Sequence, residues 1–137
     1  MSAAEPAHPV DPGAAGPPPA PPWLGRLFAL AALGFAIAGL SHVVRGVAWD
    51  PADTSSRGRH ALFVLINALA IAGVLRRPRW ILAPFLLLTL QQLHTHGGRA
   101  LLALQAGQPP RFDDVAVALG MPLIVALLVY DLRRQST

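Results

Sequence analysis

Four long apolar runs, separated by segments that contain arginine, constrain this chain more than any other feature of its sequence. A bilayer core is about 30 Å thick and takes about 20 helical residues to cross. Only helices satisfy the backbone of such runs in lipid. We therefore predict an all-α protein, an integral membrane four-helix bundle. The predicted helices cover residues 23–44, 60–75, 80–96 and 115–132. The second and third are short for a span, and flanking arginines would make up their length.

The composition supports a membrane protein and excludes several other classes. The chain is 53% hydrophobic and only 13% charged, whereas a soluble domain carries about 25% charged residues. It contains no cysteine, which excludes disulfides, thiolate zinc sites and iron–sulfur clusters. Its 11 basic residues are all arginine, a bias typical of GC-rich bacterial coding sequences. They lie at the ends of the apolar runs and meet lipid headgroups there. We expect a bacterial plasma membrane and no nucleic-acid partner.

Residues 1–22 differ from the rest of the chain because they are dominated by proline, alanine and glycine. Proline interrupts helices and strand ladders, and nothing in this segment could fill a core. We predict a disordered tail at 1–22 and a transmembrane domain at 23–137. The tail carries Glu5 and Asp11 rather than a basic region, which argues against a signal peptide.

The connections between the runs complete the predicted topology. Residues 45–59 form a polar loop and residues 76–79 a tight turn. We predict a short interfacial helix at 100–106, and we expect Asp113 and Asp114 to cap the last helix. Four spans place both termini on the side of the 76–79 turn. The dense arginines on that side favour the cytoplasm for both termini.

Four histidines fall on one side of the predicted membrane. His42 ends the first helix, His60 starts the second, and His94 and His96 end the third. Neutral imidazole binds divalent metals, and two histidines from different helices can ligate haem iron. The four are therefore candidate cofactor-binding residues, for haem or a divalent metal. Their spacing matches no known metal signature. Two other interpretations stay open, namely ordinary interfacial histidines and a polar pocket or proton-handling cluster.

Three amides near the same side form a predicted polar pocket: Asn67, Gln91 and Gln92. An intramembrane amide needs a partner, and we predict a hydrogen bond between Asn67 and Gln91. In the first helix, Gly34, Ala38 and His42 recur every four residues. Such a small-residue stripe lets a second helix approach closely, which would turn His42 into the bundle.

Catalytic machinery is not recognisable in the sequence. There is no nucleophile elbow and no phosphate loop, and no charged residue lies in the middle of an apolar run, as a proton-coupled transporter would need. The number and hydropathy of the runs over residues 23–132 resemble those of the small DoxX-like bacterial membrane proteins. That resemblance implies a four-helix membrane bundle with a redox-associated role.

Three functions follow as hypotheses of different classes. We predict a non-enzymatic accessory or interaction subunit, which would contact the lipid bilayer and a protein partner or a second copy of the chain. The first alternative is a haem- or metal-binding redox protein that uses the histidines. The second alternative is a transporter for a small solute, with Asn67 lining its path.

Overall fold

The fold was taken from a computed structural model, which describes residues 19–48 and 57–136. The predicted disordered tail lies almost wholly outside the described residues. The helices are α1 (Pro22–Val47), α2 (Arg57–Arg76), α3 (Leu82–Gln92), α4 (Gly98–Gln105) and α5 (Phe112–Arg134). A 3-10 turn at Arg79–Ile81 precedes α3, and a π-helix at Leu93–Gly97 joins α3 to α4.

The third helical run is longer than predicted and extends from Arg79 to Gln105. Both junctions of the π-helix keep right-handed helical torsions, including Gly97 at φ −62° and ψ −43°. The interfacial helix predicted at 100–106 is therefore a continuation of the third helix. The glycine pair at 97 and 98 indicated a break, but glycine also accepts helical torsions and here it does so.

The all-α four-helix bundle is confirmed by this arrangement of α1, α2, the Arg79–Gln105 run and α5. By length and composition, α1, α2 and α5 are each able to cross a membrane. The chain packs as two helix pairs, in which α1 lies against α2 and the third run lies against α5. Consecutive helices thus form two hairpins, as short connections favour.

Glycines bring α1 and α2 close together. A Cβ added at Gly39 would lie 3.3 Å from the Cβ of Asn67, and one added at Gly46 would lie 3.3 Å from the Cβ of His60. Both contact pairs are seven residues apart on each helix, so the helices run antiparallel with a heptad-like seam. Small residues at such a seam allow close backbone approach in a membrane bundle.

The predicted stripe of Gly34, Ala38 and His42 is wrong at its first position. Gly34 is exposed, and a Cβ added there would meet nothing within 4 Å. A constant spacing of four drifts by about 40° per step around a helix of 3.6 residues per turn. The seam instead alternates steps of three and four through Gly39, His42 and Gly46.

The apolar core is concentrated toward one end of the bundle, which we call the arginine-turn end because residues 76–79 connect its helices. Its buried apolar side chains are Leu24, Phe28, Ala32, Ala70, Val74, Ile81, Phe85, Met121 and Leu128. Toward the opposite end, the buried polar residues are His60, Asn67, Thr89 and Asp114. We call this the histidine end. The apolar core thus lies toward the arginine-turn end, where Asp131 is also buried, and the other buried polar residues lie toward the histidine end.

Candidate functional site

The histidine end is built from four pieces of chain: the last turns of α1, the start of α2, the π-helix and the start of α5. The four predicted site histidines do not converge there on one point. They divide into a His42–His60 pair, a His96–Asp114 pair, and His94 on its own. Across residues 19–48 and 57–136, no group of three or more histidine and acidic side chains is placed to hold a metal ion.

The His42–His60 pair joins α1 to α2. The two Nδ1 atoms lie 3.2 Å apart and the ring centroids 5.5 Å apart. His60 is buried at 6% exposure. The ring of His42 stacks on Phe63 at 4.8 Å between centroids and 12° between planes. Residue 46 is glycine, which leaves room for His60 against α1. Both imidazoles are thus held in position by packing.

A surface groove of about 320 Å³ opens beside this pair. Its walls are the two histidines and side chains from the adjoining turns of both helices: Val43, Gly46, Val47, Arg57, Ala61 and Val64. The groove is mostly apolar, with Arg57 as its charged side chain. Arg59 lies close by, with its guanidinium carbon 5.8 Å from the centroid of Phe63. A ligand in this groove would meet two imidazoles and the guanidinium of Arg57.

The His96–Asp114 pair joins the π-helix to the first turn of α5. Nδ1 of His96 lies 2.6 Å from Oδ1 of Asp114, and Asp114 is only 3% exposed. An N–H at Nδ1 that donates to a carboxylate fixes the tautomer and leaves Nε2 as the acceptor. The π-helix sits directly on α5 here. Such single π turns inside α-helices are frequent at functional sites.

The capping role predicted for Asp113 and Asp114 is not what the structure contains. The N-cap residue of α5 is Arg111, and its side chain makes no capping hydrogen bond. Asp113 accepts from Nε of Arg111 at 3.1 Å, while Asp114 accepts from His96. Both carboxylates still lie in the first turn, where negative charge interacts favourably with the helix dipole. The two carboxylates thus accept hydrogen bonds from nearby side chains and not from the backbone N–H groups of α5.

The predicted hydrogen bond between Asn67 and Gln91 is wrong. Asn67 faces α1 and donates from Nδ2 to the backbone oxygen of Phe63 at 2.7 Å. Gln91 is exposed and donates to Oγ1 of Thr95 at 3.1 Å. Each amide is satisfied within its own helix, as polar side chains in helices often are. Gln92 is half-buried, and His94 is exposed on the π-helix. The predicted pocket therefore does not form between Asn67 and Gln91.

A polar network that sequence reasoning missed lies at the arginine-turn end. Asp131 is 1% exposed and accepts from Arg77 at 3.3 Å, Arg134 at 3.3 Å and Gln135 at 2.8 Å. Arg77 also lies over the ring of Phe28 at 5.2 Å. The available signal was a lone carboxylate in the last turns of the final apolar run.

The fold defines a small helical membrane protein with several candidate spans. Comparisons of the chain with protein-family models, with curated proteins and with solved structures find no match.

Proposed function

We propose that this protein is a four-span, non-enzymatic accessory subunit that binds a protein partner through α4. In this proposal the third helical run crosses the membrane together with α1, α2 and α5. The partner binds at the histidine end, where α4 projects from the bundle. The spacing of the arginines supports the four spans, and the exposure of the leucines on α4 supports the partner.

Arginine spacing supports four spans. In the third run, Arg79 and Arg99 are separated by about 20 residues, or about 30 Å at 1.5 Å per residue. The first helix repeats this interval between Arg26 and Arg45. Arginines also lie at both ends of α2 and of α5, at comparable separations. All four intervals match the thickness of a bilayer core, and arginine favours its edges.

The exposed leucines of α4 are the observation that supports a protein partner. Leu101, Leu102 and Leu104 are 56%, 66% and 59% exposed. They follow Arg99, so they lie past the edge of the bilayer core in the four-span arrangement. The helix continues about 9 Å beyond Arg99, from six residues at 1.5 Å each. Lipid tails would not cover these side chains, and exposed apolar patches of this kind mark interaction sites.

The transporter alternative draws less support from the geometry. Asn67, the residue that would line a path, is 8% exposed and bonded to its own helix. It also packs against the backbone of α1 at Gly39. These contacts give Asn67 a structural role at the α1–α2 seam, which agrees with the interaction subunit.

Site-specific photo-crosslinking tests the proposal in membranes of the native host. A photoreactive amino acid is placed at Leu102, and a matched control at Leu33, which is 56% exposed on α1. We expect one discrete protein adduct from position 102 and only lipid adducts from position 33. The paired change Leu101→Asp and Leu104→Asp should remove the protein adduct while the helix content stays unchanged. Only lipid adducts, or adducts with a second copy of the chain, would contradict a separate partner.

A further inference from the structure

We propose that His42 and His60 form a two-imidazole site for a divalent transition-metal ion of the zinc, cobalt, nickel and copper class. The ion would join α1 to α2 at the histidine end. This site does not depend on the partner proposed above, since it rests on a different pair of helices. Its two donors are the Nδ1 atoms that already face each other across the α1–α2 seam.

The separation of the two nitrogen atoms fits tetrahedral coordination. Histidine nitrogen binds zinc at about 2.0–2.1 Å, so two such ligands at a tetrahedral angle lie about 3.3–3.4 Å apart. The observed separation of the Nδ1 atoms is 3.2 Å. An ion held by both nitrogen atoms would replace the hydrogen bond between them and lie off the line that joins them, so both rings would turn toward it. A donor pair on neighbouring helices is also how bundles build metal sites.

Packing holds the two rings in this relation. Stacking on Phe63 orients His42, and burial of His60 against Gly46 limits its rotamers. Donors that are already fixed lose little conformational entropy when a ligand binds. Close approach of the helices is essential, because a side chain at residue 46 would push His60 away from α1.

The surroundings define the chemical class of the ion. Imidazole nitrogen suits zinc, copper, nickel and cobalt, whereas magnesium and calcium require oxygen ligands. The groove beside the pair has room for water or an anion at the remaining coordination positions. Arg57 lines this groove, so an anionic co-ligand would be favoured there.

Cobalt titration of the purified full chain tests the site. The protein is prepared without a histidine tag, stripped with a chelator, and titrated with Co²⁺ while visible absorption is recorded. We expect one Co²⁺ per chain, displaced by Zn²⁺. His42→Ala and His60→Gln should each weaken binding by more than about tenfold, because each removes a direct ligand and loss of even an outer-shell partner costs about 10–100-fold. His94→Ala is the matched control, because His94 is exposed at the same end and outside the pair.

Three outcomes would overturn the proposal. The first is a wild-type protein that binds neither ion. The second is His94→Ala weakening binding as much as His42→Ala. The third is unchanged binding in both His42→Ala and His60→Gln. Because His60 is buried, circular dichroism of each variant confirms folding, and the more exposed His42 supplies the comparison least affected by packing.

Discussion

At the scale of single residues, the carboxylate of Asp131 combines deep burial with three side-chain donors. It is the least exposed charged side chain in the part of the chain that the structure describes, at 1%. It accepts hydrogen bonds from Arg77, Arg134 and Gln135, which come from the α2–α3 connection and the end of α5. A buried acceptor with three donors ties the arginine-turn end together.

Removing that acceptor should destabilise the protein. We expect Asp131→Ala to lower the free energy of unfolding by about 1–3 kcal/mol, less than for a fully buried pair because both arginines are partly exposed. Asp113→Ala is the control, since its pair with Arg111 is exposed and such pairs contribute about 0–1 kcal/mol. Unfolding of both variants in mixed detergent micelles measures the difference. Equal stabilities would contradict the role assigned to Asp131.

Gly73 lies where an added methyl group would collide with Ile81. A Cβ added there would lie 2.6 Å from Cδ1 and 2.9 Å from Cγ1 of Ile81, and Ile81 is buried. We expect Gly73→Ala to destabilise the bundle by about 1–3 kcal/mol through overpacking. Gly34→Ala should be neutral or slightly stabilising, because open space surrounds it and alanine favours helix. Thermal unfolding of the two variants in one detergent measures both effects, and a Gly73→Ala protein as stable as wild type would refute the packing.

At the scale of elements, the π-helix depends on its contact with α5. His96 of the π-helix bonds to Asp114 of α5, and the chain continues from there into α4. Few other contacts hold α4 to the bundle. The His96–Asp114 pair is therefore a side-chain link between α5 and the segment that leads into α4.

Loss of this pair should loosen the π-helix and α4 without unfolding the bundle. We expect Asp114→Ala to raise backbone hydrogen exchange across residues 93–105 and to leave exchange in α2 unchanged, because local opening follows local contacts. Asp113→Ala, next to it in the chain, should leave exchange in 93–105 unchanged. Exchange followed by mass spectrometry distinguishes the two, and identical patterns would show that the pair does not hold the π-helix.

Helix number and approximate position could be predicted from the sequence because long apolar runs have few alternatives in lipid. The continuation of the third run through Gly97 and Gly98 could not, since glycine permits both a break and a helix. The pairing of helices also was not predictable. Period and spacing indicate which residues share a face, but not which neighbour that face meets. For this reason Asn67 was predicted to contact the third helix, whereas it faces α1.

The common end of the four histidines could be predicted from the sequence, but their arrangement could not. Sequence order alone placed four histidines at one end of the bundle. It could not show that His42 meets His60 while His96 meets Asp114. Those pairings depend on rotations of whole helices, which the seam through Gly39 and Gly46 sets for α1 and α2. Asp114, the carboxylate partner of His96, was interpreted as a cap because aspartate is strongly preferred at the start of a helix.

At the scale of the whole molecule, the membrane topology depends on whether the Arg79–Gln105 run crosses the membrane. With that run, the chain has four spans and its two termini lie on the same side. With only α1, α2 and α5 as spans, the termini lie on opposite sides. In the four-span arrangement, the exposed leucines of α4 follow Arg99 and lie outside the bilayer core.

Labelling of single cysteines with a membrane-impermeant maleimide tests most directly whether the Arg79–Gln105 run crosses the membrane. The chain has no cysteine, so each introduced thiol is unique. We expect Ser2→Cys and Ser136→Cys to be labelled from the same face of sealed vesicles, and Gln108→Cys from the opposite face. The same assay tests the proposed cytoplasmic location of the termini. Labelling of Ser2→Cys and Ser136→Cys from opposite faces would contradict the four-span bundle.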